Sequence, residues 1–142
     1  MTITPLLSFR GDCAEAFTLY KRTFSGTIVT MLTYAAAGQD NVPPDWQEKI
    51  FHATITVGHD TLMGGDPLPE QYEPPKGFQL TIGLSDPQEA DRVYRALAEG
   101  GTELIQLQET FWAARFGVLV DRFGISWLIN WEAAADPSAP AH

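Results

Sequence analysis

Asp12-Cys13-Ala14-Glu15-Ala16-Phe17-Thr18-Leu19-Tyr20-Lys21 decides the fold, because it returns 74 positions later as Asp86-Pro87-Gln88-Glu89-Ala90-Asp91-Arg92-Val93-Tyr94-Arg95. Both stretches open on an aspartate suited to cap a helix, with glutamate three positions on as in a capping box. In the first, Cys13, Phe17, Tyr20 and Phe24 form one apolar stripe at helical spacing, and Ser25-Gly26 ends it. In the second, Pro87 stands at the first helical position, Ala90, Val93, Tyr94 and Leu97 form the stripe, and Gly100-Gly101 ends it. Leu6 matches Leu80, Ala16 matches Ala90, and Gly26 matches Gly100 at the same offset. Shared positions of this kind at one offset mark a duplication.

The flanks repeat as well. Residues 6–9 and 78–84 are short apolar strand candidates ahead of each helix. After the first helix, residues 27–34 are rich in β-branched and aromatic side chains, a strand by propensity. A polar, proline-bearing loop (35–49) has the length of a functional lid. Residues 51–57 then alternate Phe, Ala, Ile and Val with His52, Thr54 and Thr56. Gly58-His59-Asp60 reads as a hairpin turn, and residues 61–63 as the returning strand. The linker 66–76 carries Pro67, Pro69, Pro74 and Pro75. Beyond the second helix, 103–108, 115–120 and 125–131 are strand candidates, and 133–142 reads as a flexible tail. Each half is therefore β-α-β-β-β. The fold class is α+β, with two paired modules, about 3–66 and 77–131, forming curved mixed sheets around a ligand cavity within a single domain over 1–132.

Composition bounds the function. The 142 residues are 44% hydrophobic and 19% charged, an ordinary globular balance. Eighteen acidic against nine basic residues give a net charge of −9, and the nearest approach to a basic patch is Lys21-Arg22. Nucleic acid is not the expected partner. A single cysteine, Cys13, excludes an internal disulfide and a Cys-rich zinc module. At the first turn of a helix it invites a reactive-thiolate reading, but a small hydrophobe opening the apolar stripe is the stronger one. No apolar run spans a bilayer, and residues 1–5 are no signal peptide, so the expectation is a cytoplasmic protein. Gly-x-Ser-x-Gly elbows and Gly-rich phosphate loops are absent.

Three stretches carry a family resemblance. They are Leu7-Ser8-Phe9 with Gly11-Asp12-Cys13-Ala14-Glu15-Ala16, His52-Ala53 with Leu62-Met63-Gly64-Gly65-Asp66, and Gln108-Glu109-Thr110-Phe111-Trp112-Ala113 leading to Asp121-Arg122-Phe123-Gly124-Ile125-Ser126-Trp127. Over residues 3–131 the chain resembles the vicinal oxygen chelate superfamily of glyoxalase I, bleomycin-resistance proteins and extradiol dioxygenases, and within it the PhnB-like branch. The resemblance implies paired βαβββ modules, homodimers, and a divalent metal held by four side chains on the first and last strands of each module. Here those places fall around Leu6, Gly64, Gln79 and Leu128, of which only Gln79 offers an oxygen. The usual metal set is absent. The branch's inherited methyltransferase name is rejected, since no cofactor site for it is legible.

An alternative set exists. His52 and Glu109 are the candidate catalytic pair, or the core of an unusual metal site. Asp66, Gln79, Gln106, Trp112 and Trp46 are candidate ligand-binding residues, with Trp112 a cavity wall and Trp46 in the long loop either exposed or closing over something. Against this, a lone strand histidine is more often hydrogen-bonded structure than catalyst. Two functions follow. One is a binding protein for a small molecule, with no cofactor. The other is a metal-assisted lyase, isomerase or dioxygenase acting on a small oxygen-rich substrate.

Overall fold

The computed structural model describes residues 1–109 and 115–131. The chain divides into two compact units, residues 1–76 and the part from Gly77 onward. In the first unit, β1 (Leu6–Ser8) leads to α1 (Cys13–Phe24), β2 (Thr27–Thr33), β3 (Ile50–Val57) and β4 (Asp60–Gly65), with a 3-10 turn at Pro44–Trp46 inside the long loop. In the second, β5 (Leu80–Leu84) leads to α2 (Pro87–Ala98), β6 (Thr102–Gln108), β7 (Arg115–Val120) and β8 (Ser126–Trp131). The strand orders are β1-β4-β3-β2 and β5-β8-β7-β6, the same in both units. In each, the first strand lies parallel to the last and the other pairs are antiparallel. The fold is α+β, βαβββ twice, and the two helices start and stop at the 74-residue offset read from the sequence.

That offset breaks just after the helices. Ser25 takes the left-handed conformation (φ 54°) that ends α1, whereas Gly100 (φ 74°) takes it after α2. The glycine at which the chain passes close to the next strand is therefore Gly26 in one unit and Gly101 in the other. A Cβ there would stand 2.8 Å from the Thr56 carbonyl oxygen and 2.3 Å from that of Val120. The match of Gly26 to Gly100 slips by one residue.

Each helix covers one face of its own sheet. In the first unit Leu7, Phe9, Ala53 and Ile55 meet Ala16, Phe17 and Tyr20, all at 0–1% exposure. The rings of Phe9, Phe17, Tyr20 and Phe24 follow one another at centroid spacings of 6.0 Å. In the second unit Leu119, Trp127 and Ile129 lie beneath Ala90, Val93, Tyr94 and Leu97. Full burial of such side chains contributes about 1.5–3 kcal/mol each. Trp127 is thus core, and Cys13 is core as well, at 0% exposure. Burial, followed by the charges of Asp66 and Asp12, pushes its thiol far up, which leaves no reactive thiolate.

The helix starts differ in a way the repeat conceals. Asp86 caps α2 as expected, its Oδ1 accepting from the Gln88 N–H at 3.0 Å. Asp12 holds the equivalent place but makes no capping bond to α1. The donors there go instead to Asp66, beyond the end of β4: its Oδ1 accepts from the N–H groups of Gly11 and Cys13, both at 3.0 Å.

Candidate functional site

Strand register assigns the other, helix-free face of the first sheet. Leu7, Gly64 and Ala53 are cross-strand partners on the helix side, so Leu6, Met63 and Thr54 share the open side. On β2 the alternation slips at Val29, where the register shifts between Ile28 and Thr30. That bulge puts Thr30 opposite Thr54 and Leu32 opposite His52, on the open face. The result is a partly exposed surface on which His52 Nε2 lies 3.1 Å from Thr54 Oγ1, with Leu6, Met63 and Leu32 as apolar neighbours. Of the candidate residues in the first unit, His52 lies on this partly exposed face. Thr30 and Leu32 escaped the sequence reading because a bulge is not visible in a hydropathy pattern.

The register also tests the four metal positions implied by the resemblance. Leu6 and Leu128 have hydrocarbon side chains, and Gly64 faces α1, where a Cβ would meet the Phe17 ring at 2.8 Å. Gln79 is exposed and precedes β5, outside any strand. This donor set does not fit a divalent ion. Among the described residues no group of three or more His, Cys, Asp or Glu side chains is placed to hold a metal.

Asp66, expected as a ligand contact, is buried and bonded within the first unit. It is 1% exposed, and besides the two Oδ1 bonds its Oδ2 accepts from the Ile50 N–H at 2.9 Å. Its own carbonyl accepts from the Tyr34 hydroxyl at 2.6 Å and the Trp46 indole N–H at 3.1 Å. One residue thereby fastens the start of α1, the start of β3 and the long loop. Burial raises its carboxyl above the usual range, and the three N–H donors oppose that shift without cancelling it. Trp46, expected to be either exposed or closing over something, is half-buried: its ring packs over Gly11 and lies under the Lys49 ammonium, 5.9 Å from the ring centre.

Of the remaining candidates, Gln106 and Glu109 are exposed, Gln106 within the irregular stretch of β6 where its register with β7 shifts between Ile105 and Gln108. His52 belongs to the first unit and Glu109 to the second. Trp112 and residues 132–142 lie outside the described residues. In the second unit Asp121 plays a role like that of Asp66. It is 3% exposed, and its carboxylate accepts from the N–H groups of Phe123 and Ile125 and from the Trp127 indole at 2.8–3.0 Å.

The family described as 3-demethylubiquinone-9 3-methyltransferase matches residues 1–130, nearly the whole chain. The chain belongs to this family. Protein YjdN of Escherichia coli is 31% identical over 92% of this chain and 95% of its own. Among solved structures, protein PA1353 from Pseudomonas aeruginosa is 41% identical, covers 94% of this chain and 99% of that one, and superposes with a TM-score of 0.85. The PhnB protein from Bacillus cereus is 27% identical over 92% and 99%, with a TM-score of 0.80. A glyoxalase/bleomycin resistance protein/dioxygenase family enzyme from Burkholderia phytofirmans, 16% identical over 89% and 94%, shares the fold at a TM-score of 0.60. The chain is therefore PhnB-like, with the fold of that glyoxalase/bleomycin resistance protein/dioxygenase family enzyme. No helix among the described residues is long and apolar enough to cross a membrane.

Proposed function

We propose that this PhnB-like protein binds a small organic molecule on the helix-free face of its first sheet, through the His52–Thr54 pair, and does so without the superfamily's usual metal set. The observation that carries this reading is the His52 Nε2 to Thr54 Oγ1 contact on a partly exposed face otherwise lined by Leu6, Leu32 and Met63. A few placed polar groups on an apolar surface are what fix the orientation of a small ligand. The donor chemistry at Leu6, Gly64, Gln79 and Leu128 supports the metal-free half of the proposal. The methyltransferase in the family's description is not adopted for this chain: two mixed four-stranded sheets give no doubly wound platform for such a cofactor. Both modules are read as one domain, and the protein as a cytoplasmic homodimer.

Tag-free protein examined for metal content, and by thermal shift with Zn²⁺, Ni²⁺, Mn²⁺ and EDTA, tests the reading. Indifference to ions and chelator is expected. Stoichiometric retention of one ion, with stabilisation lost in His52→Ala, would replace binding by metal-assisted chemistry.

A further inference from the structure

We infer that the ligand of this face is an uncharged oxygenated molecule, an amide, ketone or alcohol on a small apolar body, rather than a phosphate, a phosphonate or a multiply charged acid. The inference rests on the site reading above and adds the chemical class. Strands β1 to β4 contain no lysine or arginine. Their open face is built in cross-strand rows. Thr27, Thr56 and Thr61 form the row near the hairpin, and Thr30, Thr54, Met63 and Leu6 form the next. Hydroxyl groups both donate and accept, so they match neutral carbonyl and hydroxyl partners without leaving a charge to be compensated.

The cations of the first unit are all committed elsewhere or borne on other elements. Arg10 lies over the Tyr72 ring at 5.7 Å and Lys49 over Trp46 at 5.9 Å, while Lys21 and Arg22 are on α1 and Lys76 is in the linker. His52 is the one side chain on these strands able to carry a positive charge. Recognition of a dianion draws on charge-assisted bonds from arginine or lysine, and a protein of net charge −9 repels such a ligand at long range. Leu6, Leu32 and Met63 supply the surface for the apolar body.

A charge series on one body tests this: benzamide, benzoate and phenylphosphonate, titrated to millimolar concentration into the full chain while threonine methyl and His52 ring resonances are followed by NMR. Benzamide is expected to shift Thr30, Thr54 and His52, with affinity falling at least threefold in the near-isosteric Thr54→Val variant. Phenylphosphonate is expected to bind at least tenfold more weakly. If phenylphosphonate shifts Thr54 and His52 as strongly as benzamide, the face is a site and the neutral-ligand inference is overturned. If the probes shift resonances only elsewhere, or none, the face is not the site and both readings fall.

Discussion

Replacing Asp66 should damage this protein far more than replacing Asp12, although the repeat gives Asp12 the helix cap. Asp66→Ala leaves three backbone N–H groups, of Gly11, Cys13 and Ile50, without their acceptor. Cys13 and Ile50 are 0% and 4% exposed, so water cannot readily take the carboxylate's place. An unsatisfied buried donor costs about 1–3 kcal/mol. Two such donors and a half-buried third sum to several kcal/mol, reduced by the release of a desolvated charge. The expected net loss is about 3–4 kcal/mol, a large part of a typical 5–15 kcal/mol of stability. Asp12→Ala removes a 3.3 Å exposed contact with the Arg10 N–H and should cost under about 0.5 kcal/mol. Urea unfolding of both variants, followed by tryptophan fluorescence, measures the difference. A larger loss for Asp12→Ala, or a loss below about 1 kcal/mol for Asp66→Ala, would refute the assignment of the cap to Asp66.

The same residue predicts a pH effect. Because the folded-state carboxyl is raised above its unfolded value, the native state binds the proton first as pH falls, so wild type gains stability relative to Asp66→Asn between neutral pH and the unfolded pKa of about 4; a constant difference contradicts this. Tyr94 is pushed up to about 12 by burial and by the Glu103 carboxylate, so stability present below pH 10 is lost as pH rises toward 12, by about 2 kcal/mol, and Tyr94→Phe abolishes that loss in alkaline urea titrations. Gly64→Ala forces a methyl against the Phe17 ring at 2.8 Å and should cost about 1–3 kcal/mol; an unchanged urea midpoint would mean that the ring yields freely. Cys13 should resist a thiol reagent until the protein unfolds, so labelling of the native protein at the rate of a free thiol contradicts its burial.

The duplicated helices were legible because caps and apolar stripes are local signals, and the α+β class followed from the repeated β-α-β-β-β pattern, while the family resemblance rested on three motif stretches. Strand order within each sheet adds information that no local pattern holds: the first and last strands of each unit are parallel neighbours only through contacts across dozens of residues. His52 was legible as a polar position on an alternating strand. Thr30 and Leu32 were not, because the bulge at Val29 reverses the phase of β2 without a marking residue type. Asp66 and Trp46 read as candidate ligand contacts because a polar residue beside Gly-Gly and a tryptophan in a long loop are ambiguous in one dimension. Their partners, 16 to 55 residues away, make them internal fastenings.

A crystallographic fragment screen bears most directly on the central claim, that the helix-free face of the first sheet is where a small molecule binds. Soaked neutral fragments should collect beside His52 and Thr54, with their apolar parts on Leu32 and Met63. Fragments that gather reproducibly elsewhere on the chain, with this face bare, would contradict the claim.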